Sequence, residues 1–178
     1  MKDTIPDEKV EILRDNCNNL RDRALIDFLL STGIRVGELV RLNIDDIDFS
    51  ERECVVYGKG DKERKAYFDA KTKIHLLKYY IESRTDDNSA LFVSLNKPHS
   101  RLTESGVELR LREMGKKLGV EKVHPHKFRR TMATRAIEKG MPIEQVQKIL
   151  GHEQIDTTLR YAMVNQNNVK LSHRKFIS

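Results

Sequence analysis

Apolar positions recur at helical spacing through most of this chain and switch to strand-like spacing only near its middle. Ile5-Pro6-Asp7 gives an extended start and an N-cap, after which Val10 and Leu13 follow three apart. Residues 20–31 form a second predicted helix with Leu25, Phe28 and Leu29 on one face, and Thr32-Gly33 breaks it. A short helix restarts over Val36 to Leu42. The period then changes. Ile47-Asp48-Phe49, Cys54-Val55-Val56-Tyr57 and Lys65-Ala66-Tyr67-Phe68 are short β-prone runs separated by turn residues. Gly58-Lys59-Gly60-Asp61 is a hairpin signal, because glycine admits the positive φ that such turns require. From residue 70 the helical pattern resumes, with predicted helices over 70–83, 103–118, 126–139, 142–150 and 166–176. Pro98 marks a loop, and Pro142 suits a helix N-terminus after Gly140. There are no internal repeats, low-complexity tracts or linkers, so the expectation is one α+β domain. It is mostly helical, with a small three-stranded antiparallel sheet.

Composition narrows the class of molecule. At 178 residues with 38% hydrophobic and 34% charged residues, the chain can bury a core beneath a heavily charged surface. Its most apolar helical stretch, residues 24–31, is interrupted by Asp27 and is far shorter than the ~20 residues of a membrane span. No secretory pattern opens the chain, so a cytoplasmic protein is expected, with no membrane partner. Cys17 and Cys54 are too few and too far apart for a zinc site or a disulfide framework, and they read as structural thiols. Nothing resembles a P-loop.

The net charge of +6 says less than its distribution. After Asp156 there is no acid through Ser178, while Arg160, Lys170, Arg174 and Lys175 lie in that stretch. Lys122, Lys127, Arg129, Arg130 and Arg135 form a second cluster against Glu121 alone. Both suit a polyanion-binding face.

Several residues stand out, and each admits two readings. Arg35, after the Gly33 break, can aim its guanidinium at a phosphate, or can be a surface arginine paired with Glu38 one turn on. Lys59 at the hairpin tip can enter a DNA groove or donate a proton to a leaving oxygen; it can equally be a solvated turn residue. His126 and Arg129 are three apart, which places them on one helical face as an anion site or as two cations that repel. His152 follows Gly151, a predicted helix-terminating glycine, and can bind a phosphate oxygen or cap the helix. Tyr161 would face away from His152 on one continuous helix. A break between Gly151 and Asp156, with Asp156 capping a new helix, lets both reach one site. Otherwise Tyr161 is a packing residue.

Taken together, these groups match metal-free phosphodiester transesterification. That reaction needs arginines against phosphorane charge, a proton donor for the leaving 5′-oxygen and a tyrosine nucleophile. Thr32-Gly33-Ile34-Arg35-Val36-Gly37-Glu38-Leu39, Gly58-Lys59-Gly60-Asp61-Lys62-Glu63-Arg64, His126-Lys127-Phe128-Arg129-Arg130-Thr131, Leu150-Gly151-His152 and Tyr161 occur in that order. This series resembles the tyrosine recombinase family, which includes phage integrases and Xer-type enzymes, over nearly the whole chain.

The resemblance implies a catalytic domain over residues 1–178 in which Arg35 and Arg129 clamp the scissile phosphate. Lys59 would serve as general acid, and His126 and His152 would assist proton transfer and bind non-bridging oxygens. Tyr161 would form a 3′-phosphotyrosyl link, with no metal, ATP or other cofactor. Glu38 would orient its neighbours rather than react, and Lys62, Arg64, Lys127 and Arg130 would contact DNA. Double-stranded DNA is the implied partner, with self-association into a tetrameric synapse in the full-length protein. Arg130 departs from the histidine usual after the second arginine, which implies a change of contact only. The N-terminal helical domain with which family members complete a clamp is not visible, so a catalytic domain without it is expected. Two rival readings share parts of this picture: a type IB topoisomerase-like enzyme, and a basic DNA-binding module without catalysis.

Overall fold

The computed structural model describes residues 4–151 and 166–177. Helix α1 (Asp7–Asp15) starts with Pro6 in the cap position and buries Val10 and Leu13. Helix α2 (Leu20–Thr32) starts where the Asn19 side chain accepts the Asp22 N–H, and stops at Gly33, whose φ of 66° is left-handed. Helix α3 (Val36–Arg41) follows after Ile34 and the extended Arg35. Strands β1 (Ile47–Asp48), β2 (Glu53–Tyr57) and β3 (Glu63–Tyr67) form one antiparallel sheet in the order β1-β2-β3. The turn between β2 and β3 holds Gly60 at φ 73°, as the two glycines there lead one to expect.

Helix α4 (Ala70–Lys78) runs on as a single π-helical turn at Tyr79–Ser83, so the predicted helix over 70–83 is continuous but widens at its end. Helices α5 (Glu104–Leu118), α6 (Pro125–Glu138), α7 (Ile143–Leu150) and α8 (Gln166–Phe176) lie within two residues of their predicted bounds. Pro125 occupies the first turn of α6, where a missing N–H does no harm.

Helix α2 is the centre of the fold. It packs against α1, α4 and α6 and touches β3, so apolar residues are buried on more than one of its faces. Phe28 meets Phe68 and Phe92 at centroid distances of 6.0 and 5.9 Å, and Tyr79 stacks on Phe92. The sheet lays one face on this core. Cys54, Val56 and Ala66 are buried, while Tyr57 and Tyr67 point outward. Burial pushes the Cys54 thiol up to about 12 and the Cys17 thiol to about 11, which suits structural rather than reactive cysteines. A smaller apolar cluster of Ala133, Ile137, Val146 and Leu150 joins α6 to α7. Among the described residues no helix is long and apolar enough to cross a membrane.

Two acids that interrupt the apolar run of α2 are buried ionic nodes. Asp27 accepts from Arg14 Nε at 2.8 Å and Arg23 Nε at 3.2 Å, and its other contact is His75 Nδ1. Asp22 accepts from Arg110 at 2.7 Å and Arg21 at 2.8 Å. Burial works to raise the Asp22 pKa, but the Arg110 and Arg21 guanidiniums outweigh it and hold the carboxyl below its ordinary range. Its contribution to stability is therefore complete above the unfolded value and is lost as the pH falls through the lower folded value. Asp22→Asn is expected to destabilise the fold by about 3 kcal/mol, because both arginines lose a buried countercharge. Urea unfolding at pH 7 measures the loss, and the variant is expected to lose part of the wild-type decline in acid.

Candidate active site

The turn between α2 and α3 and the first turn of α6 enclose a cleft of about 330 Å³. Ile34, Arg35 and Val36 line one side, Glu108 of α5 contributes, and His124, Pro125, His126 and Arg129 complete it. Three of the residues singled out in the sequence, Arg35, His126 and Arg129, thus meet from distant parts of the chain.

Each arrives by a local rule. Gly33 ends α2 in the left-handed region, which reverses the chain, and a Cβ there would also strike Met132 of α6. Arg35 is then the extended residue ahead of α3. Its backbone N–H donates to Glu38 Oε1 at 2.9 Å, while its side chain is exposed and has no ion-pair partner among the described residues. The surface pairing of Arg35 with Glu38 therefore does not form through the side chain. Glu38 is 3% exposed and instead pairs with Arg64 Nη2 at 2.7 Å.

His126 and Arg129 share α6 as their spacing requires, but their surroundings differ. His126 is exposed, whereas Arg129 is 4% exposed. Arg129 Nη1 donates to the Gly33 carbonyl at 2.7 Å and Nη2 to the Leu150 carbonyl at 2.5 Å. A guanidinium is a planar fork of five N–H donors, and these two bonds fix its plane.

Lys59 is exposed on the β2–β3 turn and does not line the cleft. Lys62 is exposed beside it, and Lys127 is half-buried with Nζ donating to the Glu121 carbonyl at 3.1 Å. Arg130 is half-buried. Arg64 differs from the DNA-facing role read from the sequence: its side chain is 16% exposed and turned inward. The reason is register. Arg64 pairs across the sheet with Val56, and it shares the inner face with Ala66 two residues on. The second basic cluster also thins out, since Arg129 is buried and Arg135 is engaged with Asp7. His152, Asp156 and Tyr161 lie outside the described residues.

Two lining residues escaped the sequence reading. His124 stands at the N-cap of α6, a position that the N1 proline marks out. Glu108 sits within α5, and nothing in its local sequence distinguishes it from the other acids of that helix.

The architecture is that of a mostly helical domain with a small antiparallel sheet and a cleft lined by two arginines and two histidines, and comparison with known proteins specifies it further. The phage integrase family matches residues 4–168, and the chain belongs to that family. Tyrosine recombinase XerC of Staphylococcus aureus is 37% identical over 163 residues, covering 88% of this chain and 53% of that protein. The chain spans about half the length of the curated relatives it matches. The crystal structure of XerA recombinase is 33% identical with a TM-score of 0.82, over 97% of this chain and 64% of that one. The Tn1549 transposon integrase in complex with transposon right-end DNA shares the fold. Its TM-score is 0.79 at 20% identity, over 98% of this chain and 66% of that one.

The Arg129 contacts have a measurable consequence. Arg129→Ala is expected to lower the unfolding free energy by about 2–3 kcal/mol, because the Gly33 and Leu150 carbonyls lose their donors in a buried setting. Arg129→Lys should recover only part of this, since one ammonium lacks the fork that spans both carbonyls. Denaturant midpoints of the three proteins order them.

Proposed function

We propose that this chain carries the catalytic domain of a site-specific DNA recombinase, which cuts and rejoins DNA through a 3′-phosphotyrosyl link. The observation that carries the reading is the convergence of Arg35, His126 and Arg129 on one cleft in a member of the phage integrase family. In the reaction, the Tyr161 hydroxyl loses its proton with the assistance of His126 as its oxygen attacks the scissile phosphorus, and the P–O5′ bond breaks. Lys59 protonates the departing 5′-oxygen, leaving a free 5′-hydroxyl. Arg35 and Arg129 neutralise the charge that builds on the non-bridging oxygens, with His126 and His152 donating to the same oxygens. Rejoining is the reverse attack by a 5′-hydroxyl, so the energy of the broken bond is retained and no ATP or metal is required.

Double-stranded DNA in the bacterial cytoplasm is the substrate of this reading. The XerH structure bound to its palindromic difH substrate in a post-cleavage complex shares the fold, with a TM-score of 0.76 at 24% identity. A type IB topoisomerase-like enzyme would use the same cleavage step. The recombinase names of the relatives favour strand exchange instead. Self-association on DNA, up to a tetrameric synapse in the full-length protein, belongs to the same proposal. It is supported by the apolar side chains that α8 leaves exposed, Val169, Leu171 and Phe176, with Ile177 just beyond.

A duplex nicked near the cleavage site releases a short fragment on cutting and so traps the covalent species. Incubated with this chain in chelator, such a duplex is expected to yield a protein–DNA adduct that survives denaturation. Tyr161→Phe should yield none. Arg35→Ala should slow adduct formation about 10²–10³-fold with a much smaller loss of affinity. DNA binding by the wild type without any adduct would leave a binding module and remove the enzymatic reading. For assembly, deletion of residues 166–178 is expected to abolish higher-order complexes on DNA in native gels; an unchanged pattern would place the contact elsewhere.

A further inference from the structure

We propose that Arg64 is a positioning residue of this site. It ties the carboxylate behind Arg35 to the end of α7, from which the chain continues to His152. The inference rests on the recombinase reading above.

The geometry is a short relay. Arg64 Nη2 donates to Glu38 Oε1 at 2.7 Å, and that same oxygen accepts the Arg35 backbone N–H at 2.9 Å. One carboxylate oxygen thus links the Arg64 guanidinium to the residue that opens α3. On its other side, Arg64 Nη1 donates to the Ile149 carbonyl at 2.5 Å. That carbonyl belongs to the last turn of α7, whose carbonyls lack intrahelical donors. Arg129 holds the next carbonyl, Leu150, also at 2.5 Å. Two guanidiniums from different elements therefore fix consecutive peptide groups immediately before the chain turns at Gly151.

That turn is made against Arg64 itself. A Cβ at Gly151 would lie 2.6 Å from Arg64 Nε, and φ there is 70°. A side chain this enclosed, with both terminal nitrogens engaged, is poorly placed to contact DNA. Nor is the pair with Glu38 optimised for stability. Glu38 Oε2 and Arg64 Nε are both buried without a hydrogen-bond partner among the described residues, whereas a purely structural pair normally satisfies such atoms. What the pair does secure is the distance between the Arg35 turn and the end of α7, and misplacing reacting groups by 1 Å can cost about 100-fold in rate.

The test compares wild type, Arg64→Gln, Arg64→Lys, Glu38→Gln and the Glu38→Gln/Arg64→Gln double variant of the full chain. For each, the single-turnover rate of adduct formation on the nicked duplex, the affinity for the same duplex and the folded fraction by circular dichroism are measured. Arg64→Gln is expected to cleave about 10- to 100-fold more slowly. Its affinity should stay within about twofold of wild type. Arg64→Lys, which keeps the charge but not the fork, should also be slow while remaining folded. Adding Arg64→Gln to Glu38→Gln should slow cleavage by no more than about twofold further.

Wild-type rates in folded Arg64→Gln or Arg64→Lys would overturn the inference and leave the recombinase reading standing. Parallel losses of rate and affinity would make Arg64 a DNA contact instead. Fully additive losses with Glu38→Gln would show that Arg64 does not act through Glu38. Absence of any adduct from wild type would remove the reading and the inference together.

Discussion

The arrangement of the site depends on how the Arg129 guanidinium is buried. A charge taken out of water needs closely fitted polar partners, and Arg129 finds them at two helix ends. The Gly33 carbonyl lies at the C-terminus of α2 and the Leu150 carbonyl at the C-terminus of α7. Helix C-termini carry orphan carbonyls and partial negative charge, so two of them aimed at one guanidinium make a fitting cradle. Both helices end in a left-handed glycine, at φ 66° for Gly33 and 70° for Gly151, which lets each chain turn away beside the arginine. The turn after α2 delivers Arg35, and the turn after α7 leads into His152. One buried cation therefore joins the end of α2 to the end of α7.

The rest of the domain keeps these helix ends in place. Helix α2 is buried on several faces, and its two acids are neutralised within the fold, Asp22 by Arg21 and Arg110, Asp27 by Arg14 and Arg23. The β2–β3 hairpin supplies the remaining brace through Arg64, while its exposed tip carries Lys59. A single hairpin thus combines an enclosed cation on its inner face with a solvent-facing one at its turn. This division suits the role of general acid proposed for Lys59, which must reach a substrate too large to be enclosed.

Most of this was legible in the chain. Helical and strand periods, with glycines and prolines at the boundaries, locate the helices and the three-stranded sheet, because those signals are local. Asp27 was less legible: it reads as a polar interruption of an apolar run, and only the placement of Arg14, Arg23 and His75 around it shows a buried ionic node. Arg64 offered a signal that charge alone obscured. Alternation from Arg64 through Ala66 to Phe68 puts the arginine on the inner face, and period-2 reasoning outranks the expectation that a cation faces DNA. Glu108 had no such signal, since its place in the cleft comes from how α5 lies against the rest of the fold. His152 and Tyr161 rest on motif order and on the family, not on the described geometry.

The proposed nucleophile is the Tyr161 hydroxyl oxygen, served by the cleft that Arg129 braces. Its most direct test is to isolate the denatured adduct, digest DNA and protein, and locate the modified residue by mass spectrometry. The account predicts a nucleotide joined through its 3′-phosphate to the tryptic peptide that contains Tyr161. A nucleotide on any other residue, or a link through a 5′-phosphate, would contradict it.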